Sequence, residues 1–372
     1  MKLISTVGLC LCLALGQAQA EKLYDPGASD SEIRLGQNAA FSGPASSYSI
    51  TQRVQASFVK AVNDNGGING RKVVLLQRDE GYSPPKTVEV IRQLVEDDQV
   101  LAIVNSFGTP TSAAMQMYLN LRKVPQLLVH SGASRWNNPK DFPWTTPFSP
   151  FYSTEGESFA RYLLKERPDA KIGVIYQADD IGKDFLKGLH HGLGAKSSTS
   201  ILKEVSYQVT DPTVDSQLVD LKASGADVVF LAAQNKFAAQ AIRKIHEIGW
   251  KPLIFVTSLA NSISGVLVPA GIEASTGVIT TSVYKVPGDP GFANDEGMKR
   301  YLTFMKENFP ATNPDDISAA SGYTAVEIAM EILRRCGDNL TRENLLKQAT
   351  NLRGLKASML LPGITIQTAP DD

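Results

Sequence analysis

Leu101-Ala102-Ile103-Val104 running into Asn105-Ser106-Phe107-Gly108-Thr109-Pro110-Thr111, and Pro125-Gln126-Leu127-Leu128-Val129 running into His130-Ser131-Gly132-Ala133-Ser134, decide how this chain is read. Each begins as a short apolar run bounded by turn residues, the pattern of a parallel strand buried on both faces. Each then delivers hydroxyls, a glycine and bare backbone N–H groups at the strand's C-terminal end, where open α/β sheets bind their ligands. Small residues let a ligand approach the backbone, and N–H and hydroxyl donors suit a carboxylate. Ordinary strand-to-helix turns use the same residue types, so these two turns alone leave both readings open.

Outward from them the chain alternates strands and helices. Ile33–Gly36 and Val73–Leu76 read as strands, with a helix between them through Ile50, Val54, Phe58, Ala61 and Val62 that Asn65-Gly66-Gly67 stops. Pro84 and Pro85 open a helix with Val88, Ile91, Leu94 and Val95 on one face. Residues 135–150 break the rhythm with Pro139, Pro143, Pro147 and Pro150, and read as a crossover without regular structure. Thr154-x-x-Glu157 reads as a capping box opening the next helix. Alternation then resumes with strands at Ile172–Tyr176, Ile201–Tyr207, Val228–Ala232, Leu253–Thr257 and Val278–Thr281. This is βαβα twice over, an α/β chain of two doubly wound, Rossmann-like lobes. Pauses near 147–152, 282–288 and 356–362 predict a hinge of three crossing segments. The first lobe is expected over 31–148 and 284–357, the second over 149–283 and 358–372, with Leu360–Ile366 as the third crossing and a short strand.

The first twenty residues have the parts of a secretory leader: Lys2, an uncharged apolar stretch from Leu3 to Leu15, and Ala18-Gln19-Ala20 as the cleavage signature, so the mature chain is expected to begin at Glu21. The stretch is too short to span a bilayer, and a periplasmic location is expected. Cleavage removes one lysine and leaves 36 basic against 38 acidic residues, with no basic block. Nucleic-acid binding is not expected from that balance. Cys10 and Cys12 fall in the leader. Cys336 then stands alone, so no internal disulfide forms and Cys336 is expected to be a small buried hydrophobe.

Catalytic signatures fail one by one. There is no G-x-S-x-G, no H-E-x-x-H and no paired-cysteine metal spacing. Gly182-Lys183 lacks the rest of a phosphate loop, and Gly192-Leu193-Gly194 follows a helix rather than a strand. His130, at a strand end, is the one histidine that is a site candidate, beside a structural reading of the same residue. No cofactor, no metal and no enzymatic activity are expected.

The order and spacing of several motifs resemble a known group. They are Ile33-Arg34-Leu35-Gly36 with Ser42-Gly43-Pro44; Asn65 to Arg71 (NGGINGR); Phe107 to Thr111; Val124-Pro125-Gln126 leading to Ser131–Ser134; Tyr176 to Asp184 (YQADDIGKD); and Asp211 to Gln217 (DPTVDSQ). Together they resemble the leucine/isoleucine/valine-binding proteins of ABC importers, the type I two-lobed class of periplasmic binding proteins, over essentially the whole mature chain. The resemblance implies a protein that closes two lobes on a small molecule and delivers it to a membrane permease. It places Tyr48 on one cleft wall, Thr109 and the Ser131-Gly132-Ala133-Ser134 turn at the ligand carboxylate, and Tyr152 near the crossover. From the second lobe it points to Asp180, Ile181, Gln234, Asn235, Ser258 and Tyr284.

The sequence departs from that group in two ways. Amino-acid binders of the group hold the ligand ammonium with backbone carbonyls and a second-lobe acid, whereas the turns here read Ala233-Gln234-Asn235 and Ser258-Leu259-Ala260-Asn261, leaving Asp179 and Asp180 as substitutes. Members also usually continue with a further hairpin and strand, which the second lobe is expected to lack. Tyr48, Phe107, Tyr152 and Tyr284 add aromatic surface. With no acid placed for an ammonium, the expectation leans to a hydrophobic or aromatic carboxylate over a branched-chain amino acid. A monomeric solute-binding protein is the leading reading. The alternatives are a sensor acting through a separate membrane receptor and an exported enzyme on the same fold.

Overall fold

The computed structural model describes residues 22–371, so the leader reading lies outside the described residues. Two five-stranded sheets, parallel throughout, form the frame. The first runs in the order Lys72–Asp79, Glu32–Ala39, Ala102–Val104, Gln126–Val129, Thr145–Pro147. The second runs Ile201–Tyr207, Ile172–Gln177, Val228–Ala232, Leu253–Val256, Ile279–Thr280. In both, the first strand in sequence sits between the second and third. The order in which successive strands are added therefore reverses at that point, the crevice where doubly wound folds take ligands.

The apolar runs become the central strands. Val228–Ala232 is buried along its whole length, while the edge strand Ile201–Tyr207 alternates between half-buried and exposed positions, as position in a two-faced parallel sheet dictates. Helix Ile317–Cys336 packs on the first sheet, with Val326, Met330 and Leu333 joining the cluster of Ile33, Leu35 and Leu101. Helix Glu296–Asn308 joins it through Met298, Tyr301 and Phe304 against Val54. Cys336 is free and buried, its thiol donating to the Ile332 carbonyl.

Three expectations need correction. Residues 135–150 hold an edge strand, Thr145–Pro147, tied to helix Thr109–Leu121 by Asn120, whose amide donates to the Thr145 hydroxyl and whose carbonyl accepts from the Trp144 N–H. Two threonines and a terminal proline give no apolar run, yet they suit an edge where Pro need not donate. Helix Tyr152–Glu166 starts at Phe151 with no side-chain cap, so Thr154 lies inside its first turn and the capping box does not form. The segment beyond 358 does not cross to the second lobe. It pairs with the hinge strand (Lys285 N–H to the Met359 carbonyl at 2.8 Å, Leu361 N–H to the Val283 carbonyl at 2.9 Å) and then turns back. Leu355 and Ile366 bridge there, and Leu360 and Ile366 pack on the first-lobe core. Burying those two apolar side chains against an existing core decides its side.

Helices Tyr152–Glu166 and Asp180–Leu193 carry the second lobe's edge of the cleft, and glycines let them touch. A Cβ on Gly188 would stand 1.9 Å from the Ser153 carbonyl oxygen, and one on Gly156 would stand 2.4 Å from that of Phe185. Gly188→Ala should force the helices apart, cost about 2 kcal/mol and lower the thermal midpoint by roughly 2–4 °C. An unchanged midpoint would show that the helices do not meet at this distance.

Candidate functional site

The C-terminal ends of both sheets face one another across a cavity of about 250 Å³. That is a little under the roughly 300–1,000 Å³ of pockets that hold drug-sized ligands, and suits a compact solute. The first wall comes from turns after four strands: Tyr48, Tyr82, Phe107 to Thr109, and His130. The N-terminal turn of helix Ile317–Cys336 adds Ser318 and Ser321. The second wall is built by Glu155, Ile181, Gln234, Ser258 and Thr281, and the hinge contributes Ser149, Pro150 and Tyr284.

Of the residues singled out in sequence, Tyr48, Phe107, Thr109, Tyr152, Ile181, Gln234, Ser258 and Tyr284 line this cavity together. Tyr48 spans it: its hydroxyl donates to the Leu259 carbonyl at 2.8 Å and accepts the Asn235 N–H at 3.0 Å, and Phe107 packs on its ring at 5.1 Å. Helix Thr109–Leu121 starts at the cavity from Gly108 (φ 90°), with no side-chain cap. Its positive end is thus available to an anion. The Ser131 hydroxyl accepts from Trp136 Nε1 at 2.8 Å and from the Ala133 N–H at 3.3 Å, so its own proton goes to Thr109 Oγ1 at 2.6 Å. Thr109 is left as the hydroxyl that faces the cavity, with Tyr152 beside it.

The structure takes the other candidates away from the cavity lining. Ser131 is the buried support just described. Gly132 makes room for Tyr152, whose ring would lie 2.7 Å from an added Cβ, and Ala133 is buried in the second lobe's core cluster. Ser134 is no carboxylate anchor for a ligand, because its N–H (2.5 Å) and hydroxyl (2.8 Å) both donate to Asp184. Asp180 pairs with Arg135 at 2.9 Å, and Asn235 serves Tyr48. Asp179 caps helix Asp180–Leu193, accepting the Ile181 N–H at 2.9 Å and the Gln177 amide at 2.6 Å. Neither aspartate is free for an ammonium.

The acid that sequence reasoning missed is Glu155, one turn into the helix after the crossover. One carboxylate oxygen accepts the Ser258 N–H at 2.6 Å and the Thr281 hydroxyl at 2.7 Å, and the other accepts the Ser258 hydroxyl at 2.6 Å. All three partners are neutral. Burial pushes its pKa above the ordinary glutamate value, against these donors, which pull it down. Among the described residues no Lys or Arg lines the cavity. The only sequence signal for Glu155 was its place just past a crossover, where a helix start meets the cleft. His130 lines the opposite wall, with Nε2 3.1 Å from the Ser321 hydroxyl and its ring edge-on to Phe107 and Phe148. Burial lowers its pKa to about 4, so it is neutral at pH 7.

Tyr82 was also missed. It lies two residues after Glu80, a fully buried carboxylate that accepts the Thr87 hydroxyl at 2.7 Å. Burial, opposed by that bond, raises the Glu80 pKa from 4.5 to about 7. Between those two values the folded chain binds more protons than the unfolded one. The stability from Glu80 is therefore full below about 4.5 and is lost as pH rises through about 7, roughly 3 kcal/mol in all. Glu80→Gln keeps an acceptor for Thr87 and carries no charge. It should match the wild type near pH 4.5 and exceed its stability at pH 8 in urea titrations. An identical pH slope in the two proteins would place the titration elsewhere.

The sequence profile of the periplasmic binding protein family matches residues 32–371. A Leu/Ile/Val-binding protein homolog from Brucella abortus is 22% identical over 334 residues, covering 87% of this chain and 82% of its own length. Among solved structures, a branched chain amino acid ABC transporter protein from Thermus thermophilus with bound valine superposes with a TM-score of 0.80 at 15% identity, covering 92% of this chain and 91% of that one. A substrate-binding periplasmic protein from Ralstonia solanacearum gives 0.79 at 24% identity, covering 87% and 90%.

Proposed function

The chain belongs to the periplasmic binding protein family, whose members bind substrates rather than transform them, and on that premise we propose that it captures a compact zwitterionic amino acid between its lobes for delivery to the membrane permease of an ABC importer. The observation that carries this reading is Glu155. A carboxylate with only neutral partners, in a cavity that no Lys or Arg of the described residues lines, asks its ligand for a positive charge. A ligand bearing only a carboxylate brings a second negative charge into the same enclosure, and burying unpaired charge is costly. Glu155 thus turns the preference away from a plain aromatic or hydrophobic acid and toward an amino acid. The ammonium is assigned to Glu155, and the carboxylate to Thr109 and the uncapped helix start behind it. Tyr48, Phe107, Tyr152, Ile181 and Tyr284 offer an apolar wall to the side chain. The naming of its relatives as Leu/Ile/Val-binding proteins supports the same class. Both walls come from one chain, so capture needs no second copy.

Thermal-shift and calorimetric titration with L-leucine, L-valine and L-phenylalanine, against isovalerate and benzoate, test this reading. The amino acids should raise the midpoint, since a ligand that binds only the folded state stabilises it. The acids should not. Glu155→Gln should cost leucine about 2–5 kcal/mol of affinity, the range for breaking a buried charge pair. Stabilisation by benzoate but not by leucine would return the reading to aromatic acids.

The sign of the pH dependence follows. Ammonium binding needs the ionised carboxylate, and burial raises the Glu155 pKa. Affinity should therefore weaken on acidification, approaching tenfold per pH unit once Glu155 is mostly protonated. Glu155→Gln should flatten that dependence, measured as calorimetric Kd between pH 4 and 8. A flat wild-type profile would remove Glu155 from the ligand contact.

A further inference from the structure

The turn that brings Tyr82 to the cavity is strained. Ser83 N–H donates to the Glu80 carbonyl at 3.0 Å, and both residues between them, Gly81 and Tyr82, have positive φ, 59° and 58°. Two such residues at the centre of a hydrogen-bonded turn make the primed type I geometry, normally filled by Gly, Asn or Asp. A tyrosine in left-handed backbone is an outlier, and outliers of this kind persist where the surroundings over-determine them, most often at ligand clamps and switches.

The surroundings here do so. Asp79 accepts the Gly81 N–H at 3.1 Å, and the Thr87 hydroxyl holds Glu80 at 2.7 Å. The Tyr82 ring is 6.2 Å from that of Phe107 and lies against Gly108, where an added Cβ would stand 2.4 Å from a ring carbon. What the strained turn delivers is a hydroxyl at the far side of the cleft. It accepts from Gln234 Nε2 at 2.9 Å, and Gln234 is itself steadied by its N–H, which donates to the Tyr207 hydroxyl at 3.1 Å. Every local partner of the turn belongs to the first lobe, and the one bond made by the tip of Tyr82 belongs to the second.

We propose that Tyr82 is a positioning residue for capture: the left-handed turn aims its hydroxyl so that the bond to Gln234 forms as the lobes shut, and that bond holds the closed state and slows release of the solute. The proposal rests on reading the cavity as the capture site. A bond made only in the closed state belongs to the dissociation rate and leaves encounter with the open cleft unchanged.

Tyr82→Phe keeps the ring over Gly108 and removes only the hydroxyl, and Gln234→Ala removes the partner from the other side. With L-leucine as the probe and tryptophan fluorescence as the signal in stopped flow, each single variant should release the ligand roughly three- to tenfold faster, the worth of one net hydrogen bond. Association should stay within about twofold. The double variant should be no faster than either single, because both remove the same bond. Unchanged release in Tyr82→Phe, or effects that multiply, would overturn the proposal. If L-leucine does not bind the wild type, the amino-acid reading is what has failed. The latch is then read on the same four proteins without ligand, by single-molecule energy transfer between dyes on exposed positions of the two lobes. The ratio of closed to open molecules should fall by the same three- to tenfold in each variant, and equal ratios in wild type and Tyr82→Phe would refute it.

Discussion

A carboxylate with no cation beside it among the described residues organises the second lobe's face of this cleft. Glu155 stands on the helix that follows the crossover, and its three donors come from the ends of two other strands: Ser258 after Leu253–Val256 and Thr281 after Ile279–Thr280. Three elements distant in sequence are thereby fastened to one ionisable group. Charge-assisted hydrogen bonds of this kind are short and strong, yet none of them neutralises the charge. Protonation, which burial favours, or on the proposed reading a ligand's ammonium, is what can meet that charge, and this asymmetry between satisfied hydrogen bonds and uncompensated charge is what marks Glu155 as a candidate binding acid.

The first lobe answers with rigidity rather than charge. Beneath its wall runs a buried chain of amides. Gln77 donates to Gln37 at 2.7 Å, Gln37 to Gln55 and Gln55 to Asn105, each at 2.5 Å, and Asn105 to the Leu128 carbonyl at 2.9 Å. Such networks specify one arrangement when their members are satisfied. This one joins three strands and helix Ile50–Asp64 just below the turn that presents Phe107 and Thr109. Asn105 itself has φ 46°, a left-handed position that Asn tolerates better than most residues. Above this platform Tyr48 and Tyr82 reach across to second-lobe turns at Asn235, Leu259 and Gln234. On the proposed reading, closure is registered by these phenolic hydroxyls, which are mounted on that buried amide network.

The sequence was most legible where one physical rule acts locally. Central parallel strands announce themselves as continuous apolar runs because both faces are covered, and both sheets were placed from that pattern. The cleft was legible for a related reason, since hydroxyls, small residues and glycine gather at strand ends. It failed where a side chain's role depends on a partner far along the chain. Ser134 looked like a ligand anchor until Asp184, fifty positions away, took both its donors. Glu155 lay in a stretch that resembles a helix cap, and nothing within four residues of it hints at Ser258 or Thr281. Tyr82 follows a glycine in what reads as an ordinary loop, and its strain is visible only in the backbone angles. The Thr145–Pro147 strand is short, polar and at an edge, so it has no periodic signature to read.

On the proposed reading the two walls divide the work by polarity, and that division bears on how closure selects its ligand. The first wall offers neutral donors and the positive end of a helix, the second a carboxylate. A molecule with only one charged group satisfies one wall and leaves the other uncompensated when water is excluded. It therefore gains little by bringing the lobes together. A zwitterion of the right length satisfies both at once, and only in the closed geometry, so its differential affinity for the closed state is the sum of two interactions rather than one. Selectivity then resides less in the apolar side-chain pocket, where a methylene is worth only about 1–3 kcal/mol, than in the requirement that both ends of the ligand be charged and oppositely so.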